Sequence, residues 1–120
     1  MDLFIQLLLV SFVVILLLRR ILPVRGVKQL TTTQLKNELS RKDVEFIDVR
    51  TKGEFSRYHI PGFQNIPLHE LSKKVDLLSK EKEVIVICQS GMRSHQATRI
   101  FKKKGFTKVT NIRGGISAWK

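Results

Sequence analysis

VIVICQSGMRS, from Val84 to Ser94, holds the strongest local signal in this 120-residue chain. Val84 to Ile87 is an unbroken β-branched run, which reads as a strand buried on both faces at the centre of a sheet. Cys88 follows it directly, and Gln89 to Arg93 form a short loop in which Gly91 can adopt backbone angles closed to other residues. From Ser94 to Lys104 the pattern turns helical, and Gly105 stops it. In open α/β sheets functional side chains gather beyond the carboxyl ends of strands, and Cys88 falls at such a place.

Working outward, the flanking sequence alternates between helix-like and strand-like stretches. Thr31 to Thr33 offer caps to a helix through about Ser40, and Glu45 to Ile47 predict a short strand entering Asp48. A helical turn is expected over Lys52 to Tyr58. Leu71, Val75 and Leu78 predict one helix over Leu68 to Ser79. Lys108 to Thr110 reads as a further strand, ahead of Gly114, Gly115 and a final short helix. Strands alternating with helices predict a parallel α/β sheet.

Cys88 is the single cysteine, so an internal disulfide and any multi-cysteine zinc or iron–sulfur site within one chain are excluded. His59, His69 and His95 have no tight ligand spacing with one another or with Cys88, and neither a metal nor a cofactor is expected. Isolated cysteines are more often buried structural residues. Here the loop argues otherwise. If it curls, the amides between Gln89 and Ser94 and the positive end of the next helix point at the sulfur, and Arg93 adds a cation at the rim. Such a cup suits an anionic sulfur and a small anionic partner.

The segment CQSGMRS resembles the active-site loop of rhodanese-like domains. FIDVRTKGEFSRYHIPGFQNIP, Phe46 to Pro67, is similar to the upstream signature of that family, and VTNIRGGISAW, Val109 to Trp119, to its closing signature. The resemblance implies a rhodanese-like parallel sheet flanked by helices and a sulfurtransferase that needs no cofactor. It makes Cys88 the carrier of a persulfide, with Gln89, Ser90, Gly91, Met92, Arg93 and Ser94 holding it, a small anionic donor such as thiosulfate, and a thiophilic acceptor that can be a protein. Asp48, Arg50, Glu54 and His59 are expected to be architectural. Asp48 can accept turn amides, Arg50 stands at helical spacing to pair with Glu54, and His59 is expected to fix a turn. Phe63 departs from the alanine frequent in the family, which predicts altered packing near the loop. The chain also ends at Lys120, without the longer tail of many relatives. A cysteine phosphatase or arsenate reductase is disfavoured, because such loops hold one more residue between cysteine and arginine than the four found here. A membrane-tethered binding or regulatory module is the other alternative, although such modules have usually lost the cysteine.

LFIQLLLVSFVVILLL, Leu3 to Leu18, carries no charge and predicts a spanning helix, with Arg19 and Arg20 snorkelling to headgroups. Asp2 at the start and Arg19-Arg20 at the exit do not fit a cleaved signal peptide. Residues 1–22 are therefore expected to be a single-pass anchor, 23–26 a linker and 27–120 the folded domain. The basic flank places that domain in the cytoplasm at the cell membrane. Apart from Asp2, Arg19 and Arg20, the chain keeps 20 of its 22 basic and nine of its ten acidic residues, a net charge of 20 − 9 = +11. A field of this sign attracts anionic lipid or small anions. The lysines form no aromatic-interleaved stripe, so no nucleic acid is expected.

Overall fold

The computed structural model describes residues 2–22 and 24–120. Met1 and Pro23, which begin the expected anchor and linker, lie outside the described residues. Helix α1 (Leu3–Ile21) comes first, and Asp2 caps its amino end. Then follow β1 (Val27–Leu30), α2 (Thr32–Lys36), β2 (Val44–Asp48), α3 (Lys52–Arg57), β3 (Gln64–Asn65) and α4 (Leu68–Lys74). After a 3-10 turn (Val75–Leu77) come β4 (Glu83–Ile87), α5 (Met92–Lys103), β5 (Val109–Ile112) and α6 (Gly115–Ala118).

The five strands form one parallel sheet in the order β1-β5-β4-β2-β3, so β4 is central. Its side chains alternate between two cores. Val84 and Val86 pack with Ile47, Leu71, Val75, Ala97 and Phe101, while Ile85 and Ile87 pack with Leu35, Phe46, Ile60, Phe63 and Ile112. Burial on both faces is why the strand reads as a continuous apolar run, and each such side chain contributes about 1.5–3 kcal/mol.

Local signals set the helix ends. Ser94, Ala97, Thr98 and Phe101 are buried at helical spacing on one face of α5. Gly105 in the left-handed region ends it: Phe106 N–H reaches Phe101 O at 3.1 Å, Gly105 N–H reaches Lys102 O at 3.2 Å, and the two phenylalanine rings pack edge-on.

Several boundaries differ from the expectations. α2 stops at Lys36 because the chain tightens into i→i−3 turns, Asn37 N–H to Gln34 O and Glu38 N–H to Leu35 O. The helix expected over Leu68 to Ser79 divides into α4 and the 3-10 turn, although Leu71, Val75 and Leu78 are all buried. Strands β1 and β3 were not anticipated. They are short edge strands, and Gln64-Asn65 is too polar and brief to carry a pattern. Phe63, expected to alter packing near the loop, packs edge-on against Phe46 in the second core.

No residue of α1 is buried. By length and composition it can cross a bilayer, at roughly 28 Å for its 19 residues.

Candidate active site

Cys88 lies at the carboxyl end of β4, only 1% exposed, and its loop curls back over the sulfur. The turn is made by Gly91, with φ +106°, where it serves as the amino cap of α5. Its N–H donates to Cys88 Sγ at 3.0 Å. The Cys88 thiol donates to Ser94 Oγ at 3.3 Å, and the Ser94 hydroxyl in turn donates to Gly91 O at 3.1 Å. A hydroxyl can rotate, so Ser94 can also donate to an anionic sulfur. The sulfur thus sits in the apolar interior but faces an amide, a hydroxyl and the positive end of a twelve-residue helix.

The closing segment holds the loop in that shape. Ile116 N–H donates to Cys88 O and Ser117 N–H to Gln89 O, each at 2.9 Å. In a trans peptide the N–H points opposite to the carbonyl, so the amides of Gln89 and Ser90 are turned away from α6. Gly115 makes this approach possible: a Cβ there would lie 2.2 Å from Cys88 O. The Gln89 side chain adds two ties, accepting from Arg50 Nη1 at 3.3 Å and donating to Ser117 Oγ at 3.1 Å. Ser90 and Met92 are exposed on the outer surface of the loop.

Beneath the loop, Asp48 and Arg50 form a buried pair, with Arg50 Nη2 at 2.8 Å from Asp48 Oδ2. Asp48 Oδ1 also accepts the Arg50 backbone N–H at 3.0 Å. Arg50 Nη2 donates to Tyr58 O at 2.7 Å. Asn65 Nδ2 donates to the carbonyls of Asp48 and Arg50 at 3.0 and 2.9 Å. The expected pairing of Arg50 with the Glu54 carboxylate is not formed: Arg50 touches only the Glu54 backbone carbonyl, at 3.5 Å.

Glu54 instead closes a capping box with Thr51 and holds Arg93 by two bonds of 2.6 and 2.9 Å. Arg93, expected as a cation at the loop rim, is paired with the Glu54 carboxylate. The Arg93 guanidinium, together with the Thr51 amide and hydroxyl, lowers the Glu54 pKa to about 2. The same pair raises that of Arg93. Because Glu54 titrates lower folded than unfolded, its stabilisation is present above its ordinary pKa and is lost as the pH falls toward 2. For a pair still reached by solvent, about 1 kcal/mol is at stake. Glu54→Gln is expected to lower the denaturation midpoint of the detergent-solubilised chain at pH 7 and to match the parent near pH 2. An equal deficit at both pH values would refute the assignment.

The structure thus joins Cys88, Gln89, Gly91, Arg93 and Ser94 to Asp48, Arg50 and Glu54 in one network. His59 stands outside it, exposed, with Nδ1–H donating to Phe55 O at 2.8 Å and the ring stacked on Phe55, a turn-fixing placement. Tyr58, Asn65, Gly115 and Ser117 were not singled out from the sequence, although all lie in the two quoted signatures. A cleft of about 360 Å³ opens beside Gln89, lined by Arg57, Tyr58 and Ile116 among others. Among the described residues, no three His, Cys, Asp or Glu side chains are grouped as a metal site requires.

The family profile described as Rhodanese-like domain matches residues 31–120. A sulfurtransferase of Allochromatium vinosum is 33% identical over 94 residues, covering 78% of this chain and 88% of that protein. Thiosulfate sulfurtransferase GlpE of Shewanella oneidensis is 29% identical over 92 residues, 77% of this chain and 91% of that one. YrkF of Bacillus subtilis is 41% identical over 80 residues, but the chain spans only 43% of its length. Among solved structures, a rhodanese-like domain protein from Staphylococcus aureus superposes with a TM-score of 0.72 at 30% identity, covering 78% of this chain and 92% of that one.

Proposed function

The chain belongs to the rhodanese-like domain family, a sulfurtransferase family, and from that premise we propose that it moves sulfane sulfur from a donor such as thiosulfate to a thiophilic acceptor through a persulfide on Cys88. The observation that carries this reading is the Gly91 N–H on Cys88 Sγ, in a loop whose first two carbonyls are tied to α6. The Cys88 thiolate attacks the outer sulfur of the donor. A new S–S bond forms as the donor's S–S bond breaks, and with thiosulfate the leaving group is sulfite. An acceptor nucleophile then takes the outer sulfur and returns Cys88 as thiolate.

Gly91 and Ser94 hold the charge on the sulfur, since hydrogen bonds to an anion are the stronger ones. Gln89 and the Glu54–Arg93 pair keep the loop closed, and Ser90 and Met92 form the surface that an acceptor, protein or small molecule, would meet. Asp48, Arg50 and His59 are architectural. The thiol that donates to Ser94 gives its proton to water before the attack, and the resulting thiolate is the nucleophile.

Residues 1–22 serve as a single-pass anchor, 23–26 as a linker and 27–120 as the catalytic domain, held on the cytoplasmic side of the cell membrane. The fully exposed apolar α1 and its basic exit at Arg19 and Arg20 support this reading.

The enzyme reading is tested by incubating the full-length chain in detergent with thiosulfate and cyanide. Thiocyanate is expected to form over many turnovers. No thiocyanate together with hydrolysis of an aryl phosphate would favour phosphatase chemistry, and neither activity would favour a binding module. For the anchor, the full chain is expected to stay in membranes washed with alkaline carbonate and to be released when residues 1–22 are deleted. Release of the full chain would refute the anchor.

A further inference from the structure

We propose that Arg113, just past β5, together with Arg20 at the exit of α1, selects the sulfur donor by charge, favouring a dianion of the thiosulfate class over a monoanion. The inference deepens the sulfurtransferase reading and rests on it. The mouth above the Cys88 loop is a crevice of about 400 Å³, lined by Ser90, Gly91 and Met92 of the loop together with Arg20 and Arg113. Both arginines are exposed. Arg113 is held close to the loop, because it precedes Gly114, whose backbone nitrogen lies 3.7 Å from where a Cβ on Gly91 would stand. Gly91 is the residue whose N–H meets Cys88 Sγ. The Arg113 N–H donates to Leu30 O at 2.8 Å, which ties its backbone to β1. The exit of α1 is tied to the domain through α5, where Arg99 Nη2 donates to Arg19 O.

The neighbouring cations at the sulfur loop are already engaged, Arg93 with Glu54 and Arg50 with Asp48. Arg20 and Arg113 form no ion pair among the described residues, and no acid lines the mouth. A thiosulfate entering there presents its outer sulfur to Cys88, which leaves its sulfonate oxygens directed back out of the loop toward the two guanidinium groups. Guanidinium forks match such oxyanions. The Cys88–sulfur bond forms as the donor's S–S bond breaks and the electron pair departs on sulfite, so the charge met on binding is still present on the leaving group. The cleft beside Gln89 also holds an arginine, Arg57, but Glu54 lines that cleft and Gly91 does not.

The test is steady-state thiocyanate formation by the full chain in nonionic detergent at saturating cyanide, with two donors compared. One is thiosulfate and the other methanethiosulfonate, in which a methyl group replaces one anionic oxygen. Arg113→Gln is expected to raise the KM for thiosulfate about tenfold with kcat close to the parent, and that for methanethiosulfonate by less than about threefold. Arg20→Gln is expected to act in the same direction, and Arg113→Lys, which keeps the charge, to recover part of the loss. Lys103→Gln removes the same charge at the far end of α5 and is expected to leave both donors unaffected. Equal losses for the two donors, an unchanged KM in both glutamine variants, or an equal rise in Lys103→Gln overturns the proposal with the sulfurtransferase reading intact. A rise in Arg113→Gln alone removes Arg20 from it. A parent that forms no thiocyanate from either donor overturns the sulfurtransferase reading, and donor selection falls with it.

Discussion

Cys88→Ser is expected to reduce thiocyanate formation to background, a loss of roughly a thousandfold or more, while the denaturation midpoint stays close to that of the parent. A serine hydroxyl is a poor nucleophile unless a base takes its proton. Neither group bonded to this sulfur is such a base: Gly91 offers an N–H and Ser94 a hydroxyl. Substituting oxygen for sulfur changes little volume in the buried pocket, so the fold should hold. The check is a thiocyanate assay run beside a denaturant titration. Retained turnover in the serine variant would remove Cys88 from the reaction.

The second large effect is expected at Gly115, which never approaches the sulfur. With φ +57° and a would-be Cβ 2.2 Å from Cys88 O and 2.8 Å from Gln89 O, alanine has nowhere to go but into the backbone of the loop. Backbone strain and overpacking together predict a loss of about 2–5 kcal/mol. To relieve the contact, α6 must withdraw from the loop, breaking the bonds from Ile116 and Ser117 that fix the first two loop carbonyls. Stability and turnover should therefore fall together, as read by the denaturation midpoint and by thiocyanate formation per folded molecule. Gly53 in α3, where an added Cβ meets nothing within 4 Å, is the control: Gly53→Ala should leave turnover unchanged and hold or slightly raise the midpoint.

Much of the site was legible in the sequence because its parts are local. A β-branched run ending in cysteine, a glycine at the turn and a helix behind it lie within one short stretch, and their order already places the sulfur at the end of a central strand. What the sequence could not give is who pairs with whom across the fold. Arg50 and Glu54 stand at helical spacing, yet Arg50 precedes the Thr51 cap and lies outside α3, in the bend between β2 and that helix. Its side chain folds back on Asp48, two residues earlier. Glu54 is left to meet Arg93, 39 residues further on. The role of Gly115 was hidden for the same reason: a pair of glycines predicts a turn, and only the fold shows that the turn presses against Cys88. The edge strands β1 and β3 were missed because edge strands need no continuous apolar run.

Every functional statement depends on the Cys88 loop accepting one extra sulfur atom. The most direct measurement is the intact mass of the full chain after incubation with thiosulfate and removal of excess donor. The parent is expected to gain the mass of one sulfur, localised to the peptide bearing Cys88 and removed by cyanide, while Cys88→Ser gains nothing. A parent whose mass does not change, or a sulfur adduct that the serine variant retains, would contradict the account.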